Sequence, residues 1–413
     1  MFEKVKSLFK DESIKVLGAN FFSLFVLKGF NYLLPLLIFP YLIRVLGVEK
    51  FGLVAFSQSL IMYFVVFVDF GFSLSAVKEV SVFREDKQMV EEIFSSVIII
   101  KFFVLVISLL ILLFLVSFVP KFKKEALFHF LMFGFVVGQA FFPVWFFQGM
   151  ERMKYITILD VLGKIFFTVL VFLFIKDVGD YILVALFYGV SSVLVGIIAF
   201  VFALRVFKIR LKFPSLKSIL FYFRKTLHFF LSRVSVSLYT NSNTFVIGLA
   251  LGNEAAGMYA AAEKIFFAAS SLYQPLTNAL YPFMAKTKNR SFFKGLFKWV
   301  VVFNLFVFGL IFLLSPHIIT LVMGTQYPQT VAVLRILSLT GVFIVPAVLI
   351  GYPYLAAFGY EEITNNSVII ASVFHVMLLM VFMPWLSIYL VAFFTIVTQL
   401  IVLGIRLYGI KRI

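Results

Sequence analysis

Nine ionisable residues stand inside long apolar runs of this chain, and they set the chemistry it can offer. The cations are Lys28, Lys101, Lys164, Arg233, Lys264 and Arg335; the acids are Asp69, Asp160 and Glu263. Charge inside a membrane is costly, and it usually faces a cavity or a partner. The chain has no Cys, which excludes disulfides, Fe–S clusters and thiolate catalysis. His129, His228, His317 and His375 are scattered without metal-ligand spacing. Asp160 and Lys164, four apart, form a local acid–base pair on one helical face.

Those residues are positioned by a stretch that occurs twice. Leu46-Gly47-Val48-Glu49-Lys50-Phe51-Gly52-Leu53-Val54-Ala55 recurs as Leu251-Gly252-Asn253-Glu254-Ala255-Ala256-Gly257-Met258-Tyr259-Ala260. Both read L-G-x-E-x-x-G-x-x-A, displaced by 205 positions. Each lies between two apolar runs and so predicts a tight turn joining two membrane helices. Gly47 and Gly252 can adopt backbone angles that end a helix. Two copies in equivalent contexts indicate an internal duplication.

The same offset carries Lys28 onto Arg233. Each lies 18 residues before the Leu-Gly of its turn, about 27 Å below the outer end of its helix. Asp69 falls at nearly that depth in the neighbouring helix, where a partial ion pair with Lys28 is expected. Glu263 and Lys264 lie higher, about 10 Å below the outer surface, with Arg44 at the rim. All come from the first two helices of each half, which can line one central cavity. The alternative is that each cation snorkels or pairs locally.

Composition fixes the class. Hydrophobic residues make up 63% of the 413 and charged ones 13%, whereas a soluble chain carries about a quarter charged. Met1 to Ser13 has no uninterrupted apolar core, so no cleavable signal peptide is read there; Phe2, Val5 and Phe9 share one face of a short surface helix. About 20 apolar residues cross a bilayer. Such segments run near 14–42, 51–74, 93–119, 126–147, 155–175 and 181–204, then 226–251, 254–285, 295–315, 330–357, 365–384 and 386–405. The expected protein is an all-α integral membrane protein of about twelve helices in two pseudo-symmetric six-helix lobes. Its parts are an amphipathic segment at 1–13, a lobe at 14–204, a basic linker at 205–225 and a second lobe at 226–413. With the N-terminus inside, 24 of the 36 Lys and Arg fall on the cytoplasmic side and six outside, so both termini are read as cytoplasmic. The net charge of +17 is explained the same way and does not imply nucleic acid.

Further residues carry a resemblance. P-Y-L-I-R-V-L-G-V-E-K-F-G from Pro40 to Gly52, Gln58, and V-D-F-G-F-S-L-S-A from Val68 to Ala76 resemble the first two helices of Wzx-type polysaccharide flippases. L-G-N-E-A-A-G-M-Y-A-A-A-E-K from Leu251 to Lys264 resembles the start of their eighth helix. These flippases belong to the multidrug/oligosaccharidyl-lipid/polysaccharide (MOP) superfamily, so a fold similar to that of its multidrug (MATE) exporters is implied. The D-F-G run lacks the Gly-rich loop of a kinase.

The resemblance implies a non-enzymatic transporter of the bacterial inner membrane. Its substrate would be an undecaprenyl-pyrophosphate-linked oligosaccharide, and its route alternating access around a cationic cavity. Lys28, Arg233, Lys264 and Arg44 suit the pyrophosphate, because Arg and Lys are natural partners of compact anions. Gln58, Asn31, Asn241, Asn243 and Gln274 are candidate sugar contacts. Asp69 and Glu263 can serve charge pairing or coupling to protons or sodium ions; no resident cofactor is implied. Other glycan-assembly membrane proteins are expected partners. A drug or cation exporter of the same superfamily, or a membrane-embedded polymerase or ligase, are the alternatives. The first predicts a dominant acidic site and the second a sizeable outer loop.

Overall fold

The computed structural model describes residues 12–325 and 327–411, with side chains described except at 12–33, 35–36, 231–232, 235–236 and 238–240. The surface helix expected at the N-terminus lies outside the described residues, as do the side chains of Lys28 and Asn31.

The described chain is helical, and its turns follow from local chemistry. The first helices, α1 (12–46) and α2 (48–69), join at Gly47, whose φ of 73° and ψ of 167° fall in a region open essentially to glycine alone. The second copy repeats this: α10 (Leu216–Leu251) meets α11 (Asn253–Ser271) at Gly252, with φ 97° and ψ 176°. The expected turns are therefore both present, built the same way.

Between them run α3 (Phe72–Val82), α4 (Lys87–Phe118), the short α5 (Pro120–Lys123), α6 (Ala126–Phe141), α7 (Val144–Gly149), α8 (Met153–Phe174) and α9 (Tyr181–Val206). After them come α12 (Gln274–Thr287), α13 (Arg290–Met323), α14 (Pro328–Leu349), α15 (Glu361–Val381) and α16 (Ile388–Ile410). The side chain of Asp86 accepts from two backbone amides to start α4, and Ser215, Asn289 and Ser387 cap α10, α13 and α16 in the same manner.

Nine stretches among the described residues are long and apolar enough to cross a membrane. The first, Leu37–Val82, takes in the end of α1 together with α2 and α3, and so contributes to two crossings. Adding α10 and the pair α11–α12, which are more polar, gives the twelve crossings read from the sequence. Three crossings are discontinuous: α2 breaks to α3, α6 to α7, and α11 to α12. A fourth, α14, passes into a π-helical turn over Ile350–Leu355 that contains Pro353.

Contacts gather the chain into two compact units. One comprises Val45–Gly257; the other comprises the stretch up to Arg44 together with Met258–Ile413. By this grouping the first helix of each half belongs with the five later helices of the other half.

The core of the Val45–Gly257 unit is aromatic. Phe94, Trp145, Phe146 and Phe147 are buried, with Phe94 edge-on to Phe146 at 5.1 Å. Phe102, Phe103, Phe114 and Phe118 are exposed on α4, as lipid-facing phenyl rings should be. In this unit α2 packs antiparallel along α10. Phe56 stacks on Phe245 near one end, and Phe70 stacks on Phe230 and Phe223 near the other. The connection between α9 and α10 and the start of α10 are tied down as well: Lys212 pairs with Glu91 at 2.7 Å, and Lys225, in α10, with Glu79 at 2.7 Å.

In the second unit, one side chain ties the end of α14, just before the π-helical turn, to α15, and packs against Gly351 in that turn. Arg406 is buried and donates to the Ala347 carbonyl at 2.6 Å, to Ser367 Oγ at 2.9 Å and to the Thr364 carbonyl at 3.3 Å. A π turn leaves carbonyls out of register, and a guanidinium can satisfy several at once. The last apolar run, read to residue 405, left Arg406 beyond the crossing; α16 continues to Ile410, so Arg406 lies inside the helix.

Candidate functional site

The two turn copies touch. A methyl added at Gly52 would collide with the Asn253 carbonyl, and one added at Gly257 would lie 3.2 Å from Gly52 Cα. The glycines are needed here for close backbone approach. Around them, Lys50 Nζ pairs with Glu125 Oε1 at 3.0 Å and lies over the Tyr181 ring, while Tyr181 OH donates to Glu125 Oε2 at 2.9 Å. Lys121 Nζ donates to Asn253 Oδ1 at 2.9 Å. Burial, reinforced by Lys124 and opposed by Glu49, holds the Lys121 ammonium below the ordinary lysine range.

Arg44, expected as a rim contact, is engaged in the other unit. Its Nε donates to the Val322 carbonyl at 3.1 Å and its Nη2 to the Leu321 carbonyl. These belong to the last turn of α13, where carbonyls lack helical partners and a cation suits the dipole.

Gln58 is half-buried on α2, and the offset of 205 makes it the counterpart of Glu263 on α11. Glu263 and Lys264 are adjacent and half-buried, and they interact electrostatically. Asn241 donates to Ser237 Oγ at 3.1 Å along α10, and Asn243 is buried on the same helix.

The deeper charges meet at the break between α2 and α3. Phe70 and Gly71 have φ of 50° and 80°, so the helix unwinds at Asp69-Phe70-Gly71. Asp69 Oδ2 accepts from Ser73 N at 3.4 Å, at the start of α3. Arg233 Nη2, on the exposed side of α10, donates to Ser73 Oγ at 3.0 Å. The structure thus links Arg233 to Asp69 through Ser73, a residue the sequence reading did not single out. Lys101 joins them from α4: it is buried, donates to the Gln139 carbonyl at 3.3 Å, and lies within electrostatic reach of Asp69. Its lone charge in an apolar helix was the available signal. What hydropathy could not show is that α4 turns it inward. Lys164, by contrast, makes the expected local pair with Asp160, at 2.7 Å.

The second copy breaks at nearly the same register. Gln274, counterpart of Asp69 by the offset, opens α12 after a turn at Leu272-Tyr273. Its carbonyl accepts from Thr277 Oγ1 at 2.9 Å, and it lines a cavity of about 490 Å³ between the α11–α12 break and α14.

An all-helical chain of twelve crossings, duplicated and carrying charge at an internal helix break, has the build of a multi-pass membrane transporter. The profile of the polysaccharide biosynthesis protein family matches residues 17–288. An Escherichia coli (strain K12) protein named for O-antigen transport is 32% identical over 331 residues, covering 78% of this chain and 79% of that one. One from Shigella dysenteriae with the same name is 25% identical over 369 residues, covering 87% and 91%. The chain belongs to the polysaccharide biosynthesis protein family, as its Wzx-like motifs implied. Its fold is that of the MOP superfamily. The inward closed conformation of the lipid II flippase MurJ gives a TM-score of 0.78 at 14% identity, over 94% of this chain and 87% of that one. An inward-facing MATE multidrug transporter gives 0.68 at 16% identity, over 94% of each.

Proposed function

We propose that this protein is a flippase for an undecaprenyl-pyrophosphate-linked oligosaccharide, an O-antigen or capsular repeat unit. It moves this lipid from the cytoplasmic to the periplasmic leaflet of the bacterial inner membrane, with both of its own termini in the cytoplasm. The observation that carries the reading is Arg233: an exposed guanidinium on a membrane helix, beside a helix break, in a chain whose relatives are named for O-antigen transport. A guanidinium in that position binds water or an anion in preference to lipid.

In this reading Arg233 exchanges its bond to Ser73 Oγ for pyrophosphate oxygens, which accept in pairs from the planar fork. Lys28, its repeat counterpart, and Lys264 add charge along the path. Alternating access between the two six-helix lobes exposes the bound pyrophosphate first to one leaflet and then to the other. The sugar travels in a wet polar space and the prenyl tail stays in lipid. Asp69 and Glu263, each near a lysine, couple the cycle to protons or sodium ions by alternating between cation partners.

The test is a deletion strain complemented with variants at matched protein abundance. Without the gene, the lipid-linked glycan accumulates on the inner leaflet, and wild type restores surface glycan. Arg233→Ala is expected to restore none, and Arg233→Lys part. Full restoration by Arg233→Ala sinks the assignment of pyrophosphate to this residue.

A further inference from the structure

The connection between α9 and α10 carries bases and exposed apolar side chains together. From Arg205 to Lys225 the chain has seven Lys and Arg and no Asp or Glu. Lys212 and Lys225 are neutralised by Glu91 and Glu79. Arg205, Lys208, Arg210, Lys217 and Arg224 are exposed, and no carboxylate pairs with them among the described residues. Phe213 is 100% exposed, and Leu211, Leu216 and Leu220 are exposed on either side of it. A phenyl ring left wholly in water forgoes the free energy of burial, which a lipid surface supplies.

The depth of this segment follows from α4. Lys212 N donates to Ser95 Oγ at 3.0 Å and Arg210 N donates to Glu91 Oε1 at 3.2 Å. Residues 210–212 therefore run beside the first turns of α4. At the far end of α4, Phe118 is followed by Lys121, Lys123 and Lys124, which mark one headgroup layer. About 30 Å of hydrocarbon counted back from Phe118 ends near Ile98. Ser95 lies about 5 Å further on, in the opposite headgroup layer, and it holds the connecting segment there.

Bases that reach phosphates beside apolar side chains that reach the acyl boundary are the marks of a segment lying on a membrane surface. A nucleic acid or a soluble acidic protein would match the bases, yet it would leave the phenyl ring and the leucines facing the bilayer unmatched. We propose that residues 205–224 are a docking surface for anionic phospholipid headgroups of the adjoining leaflet. Phe213 enters the acyl boundary, and Arg210, Lys217 and Arg224 engage headgroup phosphates. The inference goes beyond the flippase reading and uses only the membrane crossings. It makes the one covalent connection between the two sequence halves a lipid-anchored element.

The test exploits the absence of Cys. Phe213→Cys in the full chain gives a single labelling site, and an aromatic fluorophore attached there stands in for the phenyl ring. The labelled protein is placed in nanodiscs of phosphatidylcholine, alone or mixed with phosphatidylglycerol, and a nitroxide lipid serves as quencher. Quenching is expected to be about threefold stronger with phosphatidylglycerol present. Replacing Arg210, Lys217 and Arg224 together by Gln is expected to abolish that excess and to leave the melting temperature unchanged, since all three are exposed. A label that stays in water in both compositions overturns the proposal. Equal quenching in both compositions overturns it too, because the apolar side chains would then bury without regard to headgroup charge. Protection of the label that appears only after soluble cell extract is added assigns the surface to a soluble protein, and overturns it likewise.

Discussion

Asp69 and Gln274 occupy one register of the repeat, 205 residues apart, and both stand where the second helix of their half breaks. Their surroundings share little else. Asp69 is joined through Ser73 to Arg233 and is felt electrostatically by buried Lys101. Gln274 lines a neutral cavity with hydroxyls and a second carboxamide for company. The turns some twenty residues earlier show no such divergence, since Gly47 and Gly252 hold nearly the same backbone angles. A duplicated scaffold has kept its geometry where the backbone is demanding and changed its chemistry where side chains face a break.

The largest effect is expected at the shared geometry. Gly52→Val drives a branched side chain into the Asn253 carbonyl, which backbone cannot yield cheaply. A loss of about 3 kcal/mol is expected, seen as reduced abundance and a lower detergent melting temperature. Near-normal stability would mean that the two turns are not locked together.

A smaller effect separates the two breaks. Asp69→Asn removes the carboxylate that compensates Lys101 and should cost about 2 kcal/mol. Gln274→Leu strands no charge and should cost well under half as much in the same melting assay. Adding Lys101→Met to Asp69→Asn should recover most of the first loss. Additive losses in that double variant would show that the two residues do not interact, and the contrast between the breaks would lose its basis.

A single hydrogen bond is at stake at the second turn. Lys121→Met deletes one charged hydrogen bond to Asn253 and should cost about 1 kcal/mol, read from the same melts. A cost as large as that of Gly52→Val would show that the side chain, not the glycine pair, holds the turns.

Much of this was legible in advance, for a physical reason. Length and apolarity report a crossing, and a repeated Leu-Gly reports a turn, so twelve crossings and the positive-φ glycines of the two repeated turns could be read directly. The interruptions inside crossings could not. At Phe70 no proline marks the unwinding, and the left-handed backbone of a phenylalanine is held by stacking on Phe230 and Phe223 across α10, a contact no local pattern reports. By its position near the C-terminus Arg406 reads as a tail residue beyond the last crossing, and it lies inside α16 instead. Its true place depends on carbonyls near a π turn some fifty residues earlier. The register shared by Asp69 and Gln274 follows from the offset alone. What each faces does not, because the partners come from α4 and α10 in one case and α14 in the other.

The contact between Gly52 and Gly257 has a consequence for how such a chain can change. Gly52 and Gly257 are related by the repeat and touch each other, as identical residues do at the self-contact of a symmetric dimer. In a dimer of identical six-helix chains, any side chain gained at that position would have entered the contact from both sides at once. After duplication each glycine could be replaced alone, but it would still meet the backbone its twin leaves bare. Neither copy is free of the other at this point, however far their breaks diverge.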